Sequence, residues 1–198
     1  LNNDVMFLKS DWGRLLASNT LREGVGCVGA KLVYEDKTIQ HGGVILGIGG
    51  VAGHAHKYEQ ASNMGYQSRL ILSQEISALT GACLAISKLN WENLNGLNEK
   101  NLKVNYNDVD LCLRAREIGL NNIFLPSVYG VHLESKTRGR PKGRSFNEWR
   151  SEFYWMQKKW SKVLNNDLSY NPNLSLIYED FSIGSERINN IQVRNNIF

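Results

Sequence analysis

The segment Asn107-Asp108-Val109-Asp110 sets two carboxylates two residues apart at the head of an apolar, helix-like run. Its simplest role is a helix start, with Asn107 or Asp108 as cap and Asp110 complementing the macrodipole. The same placement has a chemical use. A helix N-terminus aims a carboxylate into a cleft, and such a group can take a proton from an attacking hydroxyl. Asn2-Asn3-Asp4 is a second polar, acidic triplet. It follows what reads as a strand end, where open α/β sheets place ligands, and Asp4 offers a hard oxygen to a divalent cation. His132 closes an apolar run and, as a neutral imidazole, could join Asp4 in holding a metal. His54 and His56 have the HxH spacing but no third ligand nearby in sequence, which favours hydrogen-bonding roles. Gln40-His41-Gly42-Gly43 has no role readable from its chemistry alone. Lys136, Arg138, Arg140, Lys142 and Arg144 alternate through a Gly/Pro loop, either as a solvated surface or as a lid whose cations meet a diphosphate.

Alternating strands and helices must position these groups. Residues 11–22 read as a short helix capped by Ser10 or Asp11, and residues 25–34 as a strand. Residues 38–46 look like a second strand, and residues 47–73 like a glycine-rich loop followed by irregular chain. Residues 74–87 suggest a buried strand interrupted at Thr80-Gly81. A helical turn or two is expected over 89–94 and a helix over 108–118, closed by Gly119. Another strand covers 123–133. Residues 145–164 form a long amphipathic helix, with Phe146, Trp149, Phe153, Met156 and Trp160 at helical spacing. The predicted class is therefore α/β. Residues 1–164 form the main body, with 165–198 as a tail packing on it or extending from it.

Bulk composition narrows the function classes. A chain of 198 residues suits one domain, and 42% hydrophobic residues exclude a disordered one. A net charge of +4, with no aromatic interleaving in the basic loop, does not point to nucleic acid. Cys27, Cys83 and Cys112 lie far apart, without CxxC spacing, as expected of reduced core residues in a cytoplasmic protein. The longest uncharged stretch, Gly42 to Gly53, is too short and glycine-rich to span a bilayer.

The order of segments is distinctive: LNND, then VGAKLVYEDKTIQHGGVILGIGGVAGHAHK, SALTGACLAIS, NDVDLCLRAREIG, VHLES and YNPNLSL. Over nearly its whole length the chain resembles the bacterial family 2 glycosyltransferases, which have the GT-A fold. The resemblance implies a GT-A-like mixed sheet flanked by helices. It also implies transfer of a sugar, with inversion, from a nucleoside-diphosphate sugar to a hydroxyl on a saccharide or lipid-linked acceptor, in cell-surface polysaccharide or glycoconjugate synthesis. Asn2-Asn3-Asp4 takes the place of the family's DxD metal motif, with Asn2 where the first acid stands, so Asp4 is the expected ligand of Mg²⁺ or Mn²⁺. His132 matches the family's metal- or diphosphate-site histidine. Lys136 and Arg138 fall in the loop that closes over the donor.

By the same resemblance Asp108 matches the catalytic base, with Asn107 where the family has glutamate. Thr80, Gly81 and Ala82, together with Asn107 and Asp110, are expected on the acceptor side. The family's first strands precede the DxD position. The chain is therefore expected to be the metal- and acceptor-side part of such a domain, incomplete at the N-terminus and inactive by itself. The expected location is cytoplasmic or at the inner face of the membrane, with peripheral association and no transmembrane segment. A sugar nucleotidyltransferase and a non-catalytic carbohydrate-binding domain of the same fold are the alternatives.

Overall fold

The computed structural model describes residues 1–133 and 144–184. In chain order the elements are β1 (Val5–Phe7), α1 (Trp12–Thr20), β2 (Val25–Val33), β3 (Ile39–His41), β4 (Val44–Leu46), β5 (Ala52–His54), β6 (Gln74–Ile76), β7 (Leu84–Ile86), α2 (Lys88–Asn93), α3 (Asn107–Glu117), β8 (Asn121–His132) and α4 (Arg144–Asn165). Three single turns of 3-10 helix interrupt the loops, at Ile48–Gly50, Tyr66–Ser68 and Gly81–Cys83. This is an α/β fold with a mixed sheet flanked by helices.

Two long strands, β2 and β8, run parallel at the centre of a six-stranded sheet. Each is flanked on its outer edge by two short antiparallel strands. β2 carries β7 and β3, and β8 carries β6 and β1. With both faces covered, all nine residues of β2 are buried, which matches its near-continuous apolar sequence. The β2–β8 register shifts after Ala30 and Leu125, so that Lys31 next pairs with Tyr129. Pro126, which has no N–H to donate, sits in that irregularity.

The sheet has a helical layer on each face. On one, α1 packs Leu16 against Val28, Ala30, Leu32 and Leu125. On the other, α3 and α4 bring Val109, Cys112, Met156 and Trp160 onto Cys27, Leu79 and Phe124. A buried amide rivets α3 to the sheet. Asn122 Oδ1 accepts from Cys27 N at 3.0 Å, while its Nδ2 donates to Cys112 O at 2.9 Å and Ser77 O at 3.1 Å. An unpaired polar side chain there would be costly, so full satisfaction makes the contact specific.

Three expectations change. The strand read over 38–46 is two strands, because Gly43 adopts φ +102° and turns the chain out of the main sheet. β4 then pairs with β5 instead. Helix α3 starts one residue early, so neither Asn107 nor Asp108 is its cap. The cap is Tyr106, held at φ +61° and ψ 5°. Phe146, placed on the apolar stripe of α4, is 41% exposed. Among residues 165–184, Tyr170, Leu174 and Phe181 pack on Ile45, Ile48 and Ala55. Asp167 anchors the same stretch by accepting from Leu46 N at 2.9 Å and from the Ser77 hydroxyl. The three cysteines are buried and free. Burial pushes the Cys83 thiol up to about 11 and the Cys112 thiol well above its ordinary value, so neither is primed as a nucleophile.

Candidate active site

Antiparallel pairing of β1 with β8 sets Val5 opposite His132 and brings Asp4 to the carboxyl end of the central strand. Leu133 N donates to Asp4 O at 2.9 Å and closes the pair. His132 is buried, and its Nδ1 lies 2.7 Å from Gln40 Oε1. With the proton assigned to Nδ1, the ring donates to Gln40 and turns the Nε2 lone pair toward Asp4 and Asn2. Nε2 lies 3.0 Å from Asp4 Oδ1 and 3.3 Å from Asn2 Nδ2. Asn2 can donate to that lone pair. The Asp4 oxygen cannot, so the Asp4–His132 approach calls for a proton or a cation between the two. In that assignment Gln40 is the partner that fixes the histidine tautomer. No spacing rule marked it in the sequence, because its contact with His132 spans 92 residues.

The interrupted stretch between β6 and β7 joins this triplet to Asp108. Asn2 N donates to Ala82 O at 2.9 Å. Ala82 N donates to Thr80 Oγ1 at 3.3 Å, which caps the short turn. Gly81 N donates to Asp108 Oδ2 at 2.6 Å, and Val109 N donates to Asp108 Oδ1 at 2.8 Å. Five of the expected site positions (Asn2, Asp4, Ala82, Asp108 and His132) therefore lie on one continuous run of contacts, with Thr80 and Gly81 supplying the turn between them. Asp108 is half-buried at the first turn of α3. Burial raises its carboxyl above the ordinary carboxylate range, against the lowering effect of the backbone N–H groups of Gly81 and Val109.

Asp110, expected beside Asp108, turns into the α3–α4 interface. It is wholly buried, with Oδ2 at 2.7 Å from Arg114 Nε, and its Oδ1 accepts from Trp160 Nε1 at 2.9 Å. Arg114 also donates to Gly96 O at 2.8 Å and to Leu94 O, so the pair ties α3 to α4 and to the loop after α2. Asn107 is the half-exposed first residue of α3. Lys136 and Arg138 lie outside the described residues.

The HxH pair has hydrogen-bonding roles. His54 Nδ1 lies 3.0 Å from His41 Nδ1, so one ring donates and the other accepts. Burial, with Lys57 and His132 nearby, lowers His54 to about 4, and burial with His54 beside it holds His41 well below its ordinary value, so this pair is neutral at neutral pH. His56 meets Glu59 Oε1 at 2.8 Å and stacks on Phe181. Among the described residues, no group of three or more His, Cys, Asp or Glu could hold a metal by itself.

No protein-family model matches the chain. Two curated relatives align with most of it. It is 43% identical over 190 residues to the uncharacterized protein y4gI of Sinorhizobium fredii, covering 94% of this chain and 21% of that protein. It is 30% identical over 181 residues to the O-antigen biosynthesis protein RfbC of Myxococcus xanthus, covering 91% of this chain and 14% of that one. The chain thus spans about a fifth or less of the relatives it matches. No helix among the described residues is long and apolar enough to cross a membrane.

Proposed function

We propose that the chain is the metal- and acceptor-side part of a GT-A-type, inverting family 2 glycosyltransferase, working in cell-surface polysaccharide or glycoconjugate synthesis. The observation that carries this reading is the run of contacts from Asp4 and His132 through Ala82 and Gly81 to Asp108. That run links Asp4 and His132 to a carboxylate whose proton affinity burial raises. The printed name of the Myxococcus relative, an O-antigen biosynthesis protein, supports the polysaccharide setting.

In this reading the Asp108 carboxylate receives the acceptor hydroxyl proton as that oxygen attacks the anomeric carbon. The new C–O bond forms while the bond from the anomeric carbon to the diphosphate oxygen breaks on the opposite face, which inverts the centre. Gly81 N–H fixes the direction of Asp108. Asn2, with Lys136 and Arg138 from the loop, meets the departing diphosphate. The residues fit a divalent cation. Asp4 supplies a hard oxygen and His132 a lone pair oriented by Gln40, and Mg²⁺ or Mn²⁺ commonly needs few protein ligands when phosphates complete its shell. Such a cation would neutralise charge on the leaving diphosphate. Nucleotide-sugar donors suit a cytoplasmic site, with peripheral association where the acceptor is lipid-linked.

The test is transfer of labelled sugar from UDP-, GDP- or dTDP-sugars by the intact natural protein. Transfer should fall at least about tenfold with EDTA, return with Mn²⁺ or Mg²⁺, and fall likewise in Asp4→Ala and His132→Ala. Carbohydrate binding without transfer would favour a non-catalytic domain. Release of pyrophosphate from a nucleoside triphosphate and a sugar phosphate would favour a nucleotidyltransferase. EDTA-insensitive transfer would remove the metal from the account.

A further inference from the structure

The loop that leads into α3 is held by one buried carboxylate. Lys103 and Val104 are exposed, and the loop buries little of its own. Yet Glu152 on α4 is 3% exposed and accepts four hydrogen bonds from it. Lys103 N and Val104 N donate to Oε1 at 2.7 and 2.9 Å. Asn105 N and Asn105 Nδ2 donate to Oε2 at 2.9 and 2.6 Å. Among the described residues no Lys or Arg forms an ion pair with it. A carboxylate taken from water and matched only to amide donors on one short loop is a device for fixing that loop.

The next residue shows what the fixing is for. Tyr106 stands at φ +61°, a left-handed conformation that an aromatic side chain adopts only when its surroundings hold it there. Its hydroxyl accepts from Trp149 Nε1 at 3.1 Å, one turn before Glu152 on α4. Its carbonyl accepts from Asp110 N at 2.9 Å and opens α3. Two residues later Asp108 turns its carboxylate to Gly81 N. Trp149, Glu152 and Trp160 share a face of α4 at intervals of three and eight residues, and they grip in turn the capping residue, the loop and Asp110.

We infer that Glu152 is a positioning residue for Asp108: it sets the left-handed entry at Tyr106 and so the direction in which the α3 N-terminus aims its carboxylate. This rests on Asp108 being the base of the proposed transfer.

The experiment compares Glu152→Gln, Asp108→Asn and Asp167→Asn in the intact natural protein. Asp167→Asn is a stability control that disturbs the buried tail network instead. Glu152→Gln keeps the volume and one acceptor but turns an amide donor toward the loop's N–H groups. It is expected to lower kcat about 10- to 100-fold with donor KM changed less than twofold, and to speed amide exchange across residues 103–110. Asp167→Asn should lower the melting point with kcat intact. Trp149→Phe, which removes only the donor to Tyr106, should move kcat the same way by a smaller factor and serves if Glu152→Gln does not fold. An unchanged kcat in Glu152→Gln, a loss confined to KM, or a kcat loss of equal size in Asp167→Asn overturns the inference. Full activity in Asp108→Asn overturns the reading beneath it instead.

Discussion

Replacing Asp108 by asparagine is expected to lower the rate of glycosyl transfer about a hundred- to ten-thousand-fold, the range typical of losing a positioned general base. Donor KM should change little, because the proposed role of Asp108 is toward the acceptor hydroxyl and not the nucleotide. The substitution keeps an oxygen for Gly81 N–H but sets an amide against the N–H of Val109, and both bonds are short in the parent. Stability and activity should separate in this variant. Burial raises the Asp108 carboxyl, so the folded protein holds that proton more tightly than the unfolded chain. A group shifted this way contributes stability below the ordinary pKa of 3.8, and that contribution is lost as pH rises through the higher folded value. Above that value the ionised Asp108 costs the fold relative to its protonated form, a cost that a neutral amide does not carry. The melting point of Asp108→Asn should stay within about 3 °C of the parent. The acid limb of the parent's kcat/KM profile should lie above the ordinary carboxylate range, because only the ionised group accepts a proton, and that limb should vanish from the residual activity of the variant.

Asp110→Ala should do the reverse and strike the fold hardest. Its carboxylate is fully buried and Arg114 is 17% exposed, with Nε 2.7 Å from Oδ2. Removing the acid leaves the guanidinium Nε and the Trp160 N–H without their acceptor in a largely buried interface. Breaking one side of a buried pair costs about 3–5 kcal/mol, or roughly 6–20 °C of melting temperature for a domain of this size. Leu94 O and Gly96 O still bind Arg114, which favours the lower half of that range. Asp110→Asn retains an acceptor for Trp160 and should lose less. Thermal unfolding of both variants checks the order.

These two aspartates show what was legible in the sequence. The helix, its position and the pair of acids at its head followed from period and residue type. Which acid is sealed into the helix interface did not follow, because that depends on Trp160, 50 residues away, reaching Oδ1 of Asp110. The apolar stripe of α4 was readable at Phe153, Met156 and Trp160. Glu152 on the same face carries no such signal, since a charged residue beside an apolar stripe is ordinarily solvated and its partners are main-chain N–H groups, apart from the Asn105 amide, with no sequence signature. The helix start moved for a similar reason. Asn107 and Asp108 are favoured caps, but Tyr106 is driven into the left-handed region by contacts from α4, and tertiary context overrode local preference. Gly42-Gly43 was visible as a pair, and only the sheet topology makes it the point where the chain leaves the main sheet.

A single displacement assisted by Asp108 inverts the anomeric centre, so the configuration of the first-formed product reports on it. Proton NMR of the new glycosidic linkage, recorded before any mutarotation of released sugar, reads it from the anomeric coupling constant. Configuration opposite to that of the donor is the predicted result. Retained configuration would contradict it, because a retaining transfer has no need of a base at the position where α3 and Gly81 hold Asp108.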